Sequence, residues 1–315
     1  MELPSGSGTS DVWFDWLMHR RHADDADYAA KIQKLVEGYA DRVLDGAGLR
    51  PGMTVVDLGT GDGLVAFRAI ERIGASLKVV LVDISRPLLQ AAEEAAIARG
   101  VREQCTFLVS SAERLEGIED ESVDVVTARS SLAYVPDKVS ALRECFRILK
   151  PGGRLSIAEP VYRDNALAAA SLRRRLESGE AEGKKSILPL VYRWHAAQYP
   201  DNDEAIRKSP ITSYTERDLL LWAQAVGFRE LELALRIRVT NLYNTAWDVF
   251  VETSPHPLAP SLRTILEEKF SVDERRLFEA ALRPMVEGGE LSETDRMCYL
   301  TALKPAKEER PGEQP

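Results

Sequence analysis

The sequence has few of the residues that build disulfide or metal frameworks. Its 315 residues include three cysteines, Cys105, Cys145 and Cys298, which are too few and too widely spaced for a disulfide scaffold or a Cys-x-x-Cys metal site. Scattered thiols of this kind are typical of a reducing compartment. We therefore expect a cytoplasmic protein with reduced cysteines, and we predict no metal site.

Long hydrophobic runs and an excess of positive charge are also missing. No stretch approaches the roughly 18 apolar residues of a membrane-spanning helix, and residues 1–13 lack the basic start and apolar segment of a signal peptide. The 41 Lys and Arg are outnumbered by 50 Asp and Glu, which gives a formal net charge of −9. Because nucleic acids and anionic membranes are held by cationic surfaces, we expect neither as a partner.

What the chain does contain is a globular composition, 44% apolar and 29% charged, in which apolar runs alternate with helical patterns. The five runs without polar alternation cover 54–58, 78–83, 106–109, 123–128 and 154–158. Strands of this kind are covered on both faces, so the sequence predicts an α/β fold with a parallel sheet flanked by helices. Residues 230–240 and 296–303 are predicted as two further strands.

Interruptions of this pattern predict the domain organisation. Residues 1–46 are expected to form a helical segment after a loose start, and 47–160 the core of the fold. A helical insertion follows at 161–212. Residues 213–303 complete the core and carry a second helical insertion at 241–290. The charged, proline-containing residues 304–315 are predicted as a disordered tail.

The most informative residues are the glycines after the first predicted strand, in Asp57-Leu58-Gly59-Thr60-Gly61-Asp62-Gly63. Glycine lets backbone N–H groups approach a ligand with no Cβ in the way, and the helix that follows adds positive potential at its N-terminus. The next strand ends in Asp83, where an acid can accept the hydroxyls of a ribose. Asp57 would repel a phosphate and attract an ammonium group. These residues predict a ligand with a ribose and an amine but no pyrophosphate.

Residues 55–160 closely resemble the class I S-adenosylmethionine (SAM)-dependent methyltransferase family. The glycine stretch matches the first family motif, and the later matches, in order, are Val82-Asp83-Ile84-Ser85, Ser111-Ala112-Glu113, Ser122–Val126 with Arg129-Ser130, and Leu149–Gly153. Ser111 departs from the pattern, since many members have Asp there. The resemblance implies the Rossmann-like methyltransferase fold, a seven-stranded and mostly parallel sheet whose last strand is antiparallel.

The resemblance also implies SAM as cofactor, S-adenosylhomocysteine as product, and a set of cofactor-binding residues. These are Asp57, Gly59, Thr60, Gly61, Asp83, Ile84, Ser111, Ala112, Glu113, Arg129 and Ser130. The glycine loop would hold the methionine end, Asp57 the amine and Asp83 the ribose, while Ile84 would pack on adenine. A bare turn is the structural alternative for the glycines, and the ordered series of motifs makes it the weaker one. For Ile84, ordinary core packing is nearly as good an interpretation.

Residues for the methyl acceptor are less well defined, because transfer from an activated sulfonium can rest largely on alignment of the reactants. A base is needed only where the acceptor must lose a proton. The candidate catalytic residues are His195, Glu159 and Arg129, and the candidate substrate-binding residues are Tyr134, Tyr162, Trp194 and Tyr199. For His195 the apolar face of a lid helix is favoured over a pocket for a flat or cationic acceptor. His256, between two prolines, is interpreted as a loop residue.

Helical insertions at these places are typical of family members that enclose small molecules, so we expect the N-terminal helices and the insertions to form a lid that excludes water. We predict methyl transfer from SAM to O, N, S or C of a small molecule. The alternative is a non-catalytic SAM-binding regulatory or partner subunit. The sequence leaves a homodimer open.

Three further classes can be weighed on the same residues. A nicotinamide-dependent oxidoreductase is disfavoured because Leu64 stands where the dinucleotide fingerprint has its third glycine. Arsenite methylation is disfavoured because the three cysteines lie outside the expected loops. The negative charge disfavours a tRNA methyltransferase, whereas no feature of the sequence tests a protein substrate.

Overall fold

The computed structural model describes residues 11–179, 186–241 and 245–306, and its centre is a seven-stranded sheet. The strands are β1 Thr54–Leu58, β2 Lys78–Asp83, β3 Cys105–Val109, β4 Val123–Arg129, β5 Leu149–Pro160, β6 Arg229–Asn241 and β7 Ser292–Leu303. Their order across the sheet is β3-β2-β1-β4-β5-β7-β6. Strands β1 to β5 pair in parallel and β7 runs antiparallel to β5. The predicted α/β fold with a mixed seven-stranded sheet is confirmed.

Helices connect the strands and form the segments between them. They are α1 Val12–Asp15, α2 Ala26–Ala47, α3 Leu64–Ile73, α4 Arg86–Ala98, α5 Lys138–Ile148, α6 Arg163–Glu177, α7 Leu188–Gln198, α8 Asp203–Lys208, α9 Glu216–Val226, α10 Trp247–Glu252, α11 Leu262–Lys269 and α12 Val272–Glu287. A π-helical turn, Trp16–Arg20, follows α1. Helix is not continuous over 11–46, because Ala23 and Asp24 adopt φ of +54° and +52°. Left-handed residues cannot continue a right-handed helix.

Burial on both faces explains why the central strands are apolar throughout. In β1, Val56 and Leu58 belong to the hydrophobic cluster that contains Leu142 of α5. Val55, which directly precedes Val56, belongs to a second cluster with Val65 of α3. Successive side chains of a strand point to opposite faces, so the two clusters lie on the two sides of the sheet.

The chain divides into two compact units. The sheet unit comprises Glu37–Val161, Tyr214–Arg236 and Met297–Pro315, and the helical unit comprises Met1–Val36, Tyr162–Ser213 and Ile237–Arg296. The helical unit has a hydrophobic core of its own, in which Trp247, Phe270 and Phe278 are buried. Among the described residues of both units, no helix is long and apolar enough to cross a membrane.

The prediction of a disordered tail over residues 304–315 is wrong for its first residue, Lys304. Lys304 is buried, and its Nζ donates to the carbonyl oxygens of Phe146 and Leu149 at 2.9 and 2.7 Å. The backbone of Lys304 also exchanges hydrogen bonds with Gly152 and Gly153. Its charge is therefore satisfied by carbonyl groups at the end of α5, which a reading of composition does not detect. Residues 307–315 of the tail and the N-terminal residues 1–10 lie outside the described residues.

Two glycines of α2 allow a matched test of how closely this helix packs on the sheet. A Cβ on Gly46 would lie 2.6 Å from Thr301 Cγ2 and 2.7 Å from Ser156 Oγ, whereas a Cβ on Gly38 would meet nothing within 4 Å. We expect Gly46→Ala to lower the free energy of unfolding by about 1–3 kcal/mol through overpacking. Gly38→Ala should raise it by about 0.5–1 kcal/mol, because alanine favours helix. Urea unfolding of both variants measures the difference, and equal effects would contradict the close packing.

Candidate functional site

The glycine loop, residues 59–63, leads from the end of β1 into α3. Gly59, Gly61 and Gly63 adopt φ of +63°, +58° and +84°, a region that favours glycine. A Cβ on Gly59 would lie 2.2 Å from Ser131 Cβ, and one on Gly63 would lie 2.4 Å from Phe67 Cε2. The loop therefore requires glycine for its turns, and at Gly59 also for the close approach of the chain after β4.

Asp57 lies beside this loop and is almost wholly buried. Its Oδ2 accepts the hydroxyl of Thr60 at 2.7 Å, and its Oδ1 accepts the hydroxyl of Thr127 at 2.8 Å. Burial raises the pKa of Asp57 to about 6, while the two hydroxyls and the charge of Arg129 act to lower it. At neutral pH the carboxylate is mostly ionised. A buried negative charge beside the glycine loop suits a ligand that carries a cation.

Asp83, at the end of β2, connects the glycine loop with the beginning of α4. Its Oδ2 accepts the N–H of Gly61 and its Oδ1 accepts the N–H of Ser85, both at 2.9 Å. The next residue, Ile84, is apolar and yet 49% exposed. Ordinary core packing therefore does not explain Ile84. A carboxylate in this position can accept the hydroxyls of a sugar. An exposed apolar side chain beside it can pack on one face of a flat base.

A groove of about 520 Å³ runs from Ile84 along the end of β3. Its lining residues are Ile84, Val109, Ser110, Ser111, Glu113, Arg114 and Glu116. Ser111 Oγ accepts the N–H of Glu113 at 3.2 Å, and Glu113 Oε1 accepts the N–H of Asp137 at 2.8 Å. The structure thus brings three of the predicted cofactor residues, Ile84, Ser111 and Glu113, to one groove. Ala112, between the last two, packs against the core of the sheet unit.

The chain after β4 lies against the other side of the glycine loop. Arg129 ends β4, and its buried Nε has no hydrogen-bond acceptor among the described residues. Ser130 has a φ of +52°, a left-handed conformation that costs about 1–3 kcal/mol and persists only where the surroundings enforce it. Ser131 Oγ then donates to the carbonyl oxygen of Leu58 at 2.9 Å. Tyr134, at the end of this segment, is half-buried against the sheet-unit core.

Glu159, one of the predicted catalytic residues, is fully buried near the end of β5. Its Oε1 accepts the N–H groups of Ser131 and Leu132 at 3.2 and 3.1 Å, and its Oε2 accepts that of Ala133 at 2.9 Å. Burial raises the pKa of Glu159 to about 7, while these three donors and the charge of Lys138 act to lower it. The prediction of direct action on a substrate is therefore corrected, because this carboxylate is committed to backbone groups and has no exposed surface.

Comparison with known proteins places the strands and loops described above in one family. The profile of the family described as "Methyltransferase domain" matches residues 49–207, about half of the chain. The chain belongs to this methyltransferase family. SAM is the cofactor of its class I members, as the resemblance implied.

Relatives of this methyltransferase match it over part of their length. The ubiquinone/menaquinone biosynthesis C-methyltransferase UbiE of Brucella anthropi is 39% identical over 110 residues, which are 35% of this chain and 41% of that protein. The enzyme of the same name from Brucella abortus is 30% identical over 159 residues, 47% of this chain and 59% of that protein. The chain thus spans about half the length of these curated relatives.

A solved structure shares the fold of this methyltransferase. It is a Bacillus halodurans protein provisionally assigned as a methyltransferase, with a TM-score of 0.51 and 18% identity. The superposition covers 85% of this chain and all of that one. At this identity the comparison supports the fold and does not identify a substrate.

The predicted acceptor residues of this methyltransferase fall in both units. Arg129, Tyr134 and Glu159 belong to the sheet unit. The four in the helical unit are Tyr162, Trp194, His195 and Tyr199. No group of three or more His, Cys, Asp and Glu side chains in the described ranges could hold a metal ion.

In the helical unit, the aromatic residues around His195 divide between two clusters. Trp194 packs edge-on against Phe250 and Phe278, with ring centroids 6.1 and 5.8 Å away, in the apolar core of the unit. The ring of His195 lies 5.0 Å from that of Trp194, and burial lowers the pKa of this histidine. Tyr199 instead lies beside Tyr162, with the two ring centroids 6.1 Å apart. The contacts of Trp194 and His195 are those of a packed helix face.

His256, interpreted from sequence as an ordinary loop residue, lies buried beside the Tyr162–Tyr199 pair. Its ring centroid is 5.4 Å from that of Tyr162 and 5.2 Å from that of Tyr199. Its Nε2 lies 3.1 Å from the carbonyl oxygen of Gln198, so Nε2 carries the proton. Burial lowers the pKa of His256 to about 4, which keeps it neutral. The flanking prolines predict a turn and give no signal of this burial.

Two matched variants can separate the stability that depends on the contact between Gly59 and Ser131 from the cost of a left-handed backbone. Gly100 has a φ of +69°, close to that of Gly59, but a Cβ there would meet nothing within 4 Å. We expect Gly100→Ala to cost about 1–2 kcal/mol of stability from the left-handed backbone alone. Gly59→Ala should cost at least about 1 kcal/mol more, because the new methyl group overlaps Ser131. Urea unfolding compares the two, and equal losses would show that Ser131 does not pack on Gly59.

Proposed function

We propose that this chain transfers the methyl group of SAM to an O, N, S or C atom of a small-molecule acceptor. The observation that carries the proposal is the glycine loop joined to Asp83, with the exposed Ile84 beside it, at the carboxyl ends of β1 and β2. This is the edge at which ligands bind in open α/β sheets. Membership of the methyltransferase family supports the same function.

The methionine end of SAM fits the residues around the glycine loop. The cofactor's carboxylate suits Arg129, whose buried guanidinium Nε has no acceptor among the described residues. Its ammonium group suits the negative charge of Asp57, whose oxygens already accept two hydroxyls and retain further lone pairs. Glycine at 59 and 61 leaves the backbone open to close approach. We therefore propose that these residues, with Thr60 and Ser130 of the same two segments, hold the methionine end.

The adenosine end fits the neighbouring residues of β2 and β3. Asp83 is a carboxylate suited to the ribose hydroxyls, and Ile84 offers an apolar surface for one face of adenine. Ser111, Ala112 and Glu113 follow β3 and would lie at the edge of the base. Ser111 offers a hydroxyl there, where many family members place a carboxylate.

In this proposal the chain contributes binding and orientation. SAM, when bound, supplies a methyl group that is already activated by the sulfonium. Fixing both reactants in line can lower the activation free energy by on the order of 7–11 kcal/mol. The site therefore does not need a strong base. With Glu159 committed to the backbone, the sheet unit offers Arg129 and Tyr134 as the predicted acceptor-side groups. In the helical unit, Tyr162, Trp194, His195 and Tyr199 stay predictions.

A small-molecule acceptor is supported by the names of the curated relatives, which are C-methyltransferases of ubiquinone and menaquinone biosynthesis. The sequence match covers about half of those proteins, so it supports the class of acceptor and not one compound. The negative net charge fits the proposal that nucleic acid is not the acceptor.

The first test is calorimetric titration of the purified protein with SAM and S-adenosylhomocysteine. We expect both to bind, and Asp83→Ala to weaken binding at least about tenfold, because it removes a charged hydrogen-bonding group. Asp62→Ala is the matched control. Asp62 belongs to the same loop, and its Oδ1 accepts a backbone N–H, that of Leu64, at 3.3 Å. Its loss should leave the affinity nearly unchanged.

The outcomes separate the alternatives. Binding of SAM followed by methylation in a screen of small phenols, quinols, amines and thiols would support the enzyme. Tight binding without turnover of any acceptor would favour the non-catalytic SAM-binding subunit. No binding of either compound to the folded protein would overturn the cofactor assignment.

A further inference from the structure

Three successive backbone N–H groups of the segment after β4 converge on the single carboxylate of Glu159. Ser131 and Leu132 donate to one oxygen and Ala133 donates to the other, at 2.9 to 3.2 Å. Backbone N–H groups arranged in this way form an anion-binding nest. Here the anion is a side chain of the protein itself. Because Glu159 is fully buried, its carboxylate acts on this segment and not on a solvent-exposed ligand.

The segment that Glu159 holds is in direct contact with the glycine loop. Ser131 Oγ donates to the carbonyl oxygen of Leu58, the last residue of β1, at 2.9 Å. Ser131 also stands so close to Gly59 that a Cβ there would lie 2.2 Å from its own Cβ. The position of Ser131 therefore fixes how much space remains above the first glycine of the loop.

Backbone strain at Ser130 makes this position depend on an outside constraint. Ser130 adopts a φ of +52°, although it is not glycine, and its N–H donates to the carbonyl oxygen of Ala158 at 2.8 Å. Left-handed residues with side chains persist only where neighbouring contacts enforce them. The three hydrogen bonds to Glu159 begin at the very next residue. They are the contacts that can enforce this turn.

Tyr214 and Lys138 act on the surroundings of this carboxylate. Tyr214 Oη donates to the carbonyl oxygen of Pro160 at 2.6 Å, which fixes the backbone next to Glu159. The Lys138 Nζ lies 4.6 Å from the centroid of the Tyr214 ring and donates to the carbonyl oxygen of Val135 at 2.9 Å. Its positive charge favours the ionised form of Glu159. The charge of Lys138 thus offsets part of the cost of burying this carboxylate.

We propose that Glu159 is a positioning residue for the methyl donor. Its carboxylate holds the segment 130–133 against the glycine loop and so sets the affinity for the methionine end of SAM without touching SAM. This inference rests on the proposed function. It predicts a defect confined to one end of the cofactor. Asp83 accepts the N–H groups of Gly61 and Ser85, and Ser111 accepts that of Glu113, and these donors all lie outside the segment 130–133.

The test compares two ligands that share the adenosine end, SAM and adenosine, by calorimetric titration of Glu159→Gln. The amide replaces one acceptor oxygen with an NH₂ group, which faces an N–H donor and cannot accept it. We expect the affinity for SAM to fall about tenfold or more and the affinity for adenosine to change less than about twofold. Ile84→Ala should show the other pattern, with both ligands weakened.

Asp124→Asn is the matched control for a general loss of stability. Asp124 also accepts a backbone N–H between strands, that of Thr54 at 2.8 Å, and it pairs with Lys150 Nζ at 2.8 Å. It lies at the beginning of β4, the opposite end of the strand from Arg129 and Ser130. We expect this variant to lower the unfolding midpoint in urea while both ligands bind as they do to the wild type.

A folded Glu159→Gln variant that binds SAM as the wild type does would overturn the proposal. An equal loss of SAM and adenosine binding would overturn it as well, because that result indicates general disruption. If Glu159→Gln does not fold, Ser131→Ala removes the hydrogen bond between the same segment and Leu58. We expect this variant also to lose affinity for SAM and to keep its affinity for adenosine. Failure of the wild type to bind SAM would instead overturn the proposed function, and this inference with it.

Discussion

Buried carboxylates that accept backbone N–H groups hold the loops at the carboxyl edge of the sheet. Asp83 accepts from the glycine loop and from the start of α4, and Glu159 accepts from the segment after β4. Charged acceptors make stronger hydrogen bonds than neutral ones, and a buried N–H without a partner costs about 1–3 kcal/mol. Two side chains at strand ends thus fix the backbone of three connections, namely the glycine loop, the start of α4 and the segment after β4.

The raised pKa values of two carboxyl groups at this edge show that burying their negative charge costs free energy. Burial raises the pKa of Asp57 to about 6 and that of Glu159 to about 7. Each carboxylate would therefore be easier to ionise in water than where it stands. By contrast, Asp124 at the opposite edge is partly exposed and pairs with a lysine. Within the sheet unit, two carboxylates with pKa values raised by burial, Asp57 and Glu159, thus lie at the edge where the ligand is proposed to bind.

The sequence could predict the centre of the fold because its determinants are local. Apolar runs predicted β1, β2 and β4, and the glycine stretch predicted the turn into α3. The polar beginning of β7 was missed, since residues 292–295 extend the strand beyond the predicted 296–303. Nothing in those four residues indicates a strand. Their conformation follows from the sheet that they join.

Contacts between distant segments could not be predicted in the same way. Trp194 lies within α7, whereas Tyr199 follows the last residue of this helix with an extended backbone. Residues that are close in the sequence therefore belong to two separate aromatic clusters. The burial of His256 depends on Tyr162, 94 residues earlier in the chain. Glu159 was correctly placed at the edge of the sheet, but its partners are backbone groups, which carry no signature in a sequence.

The charge at this edge also bears on which ligand the site can hold. SAM carries a sulfonium and an ammonium group against one carboxylate, so it is a net cation. A site that already contains the buried charges of Asp57 and Asp83 recovers part of their desolvation cost when a cation enters. A dinucleotide would bring phosphate charge to the same place and increase that cost. Arg129, with a guanidinium Nε that has no acceptor among the described residues, is the cation proposed to pair with the one carboxylate of SAM. The preference for SAM over a phosphate-bearing ligand therefore follows from the same desolvated acids that position the loops.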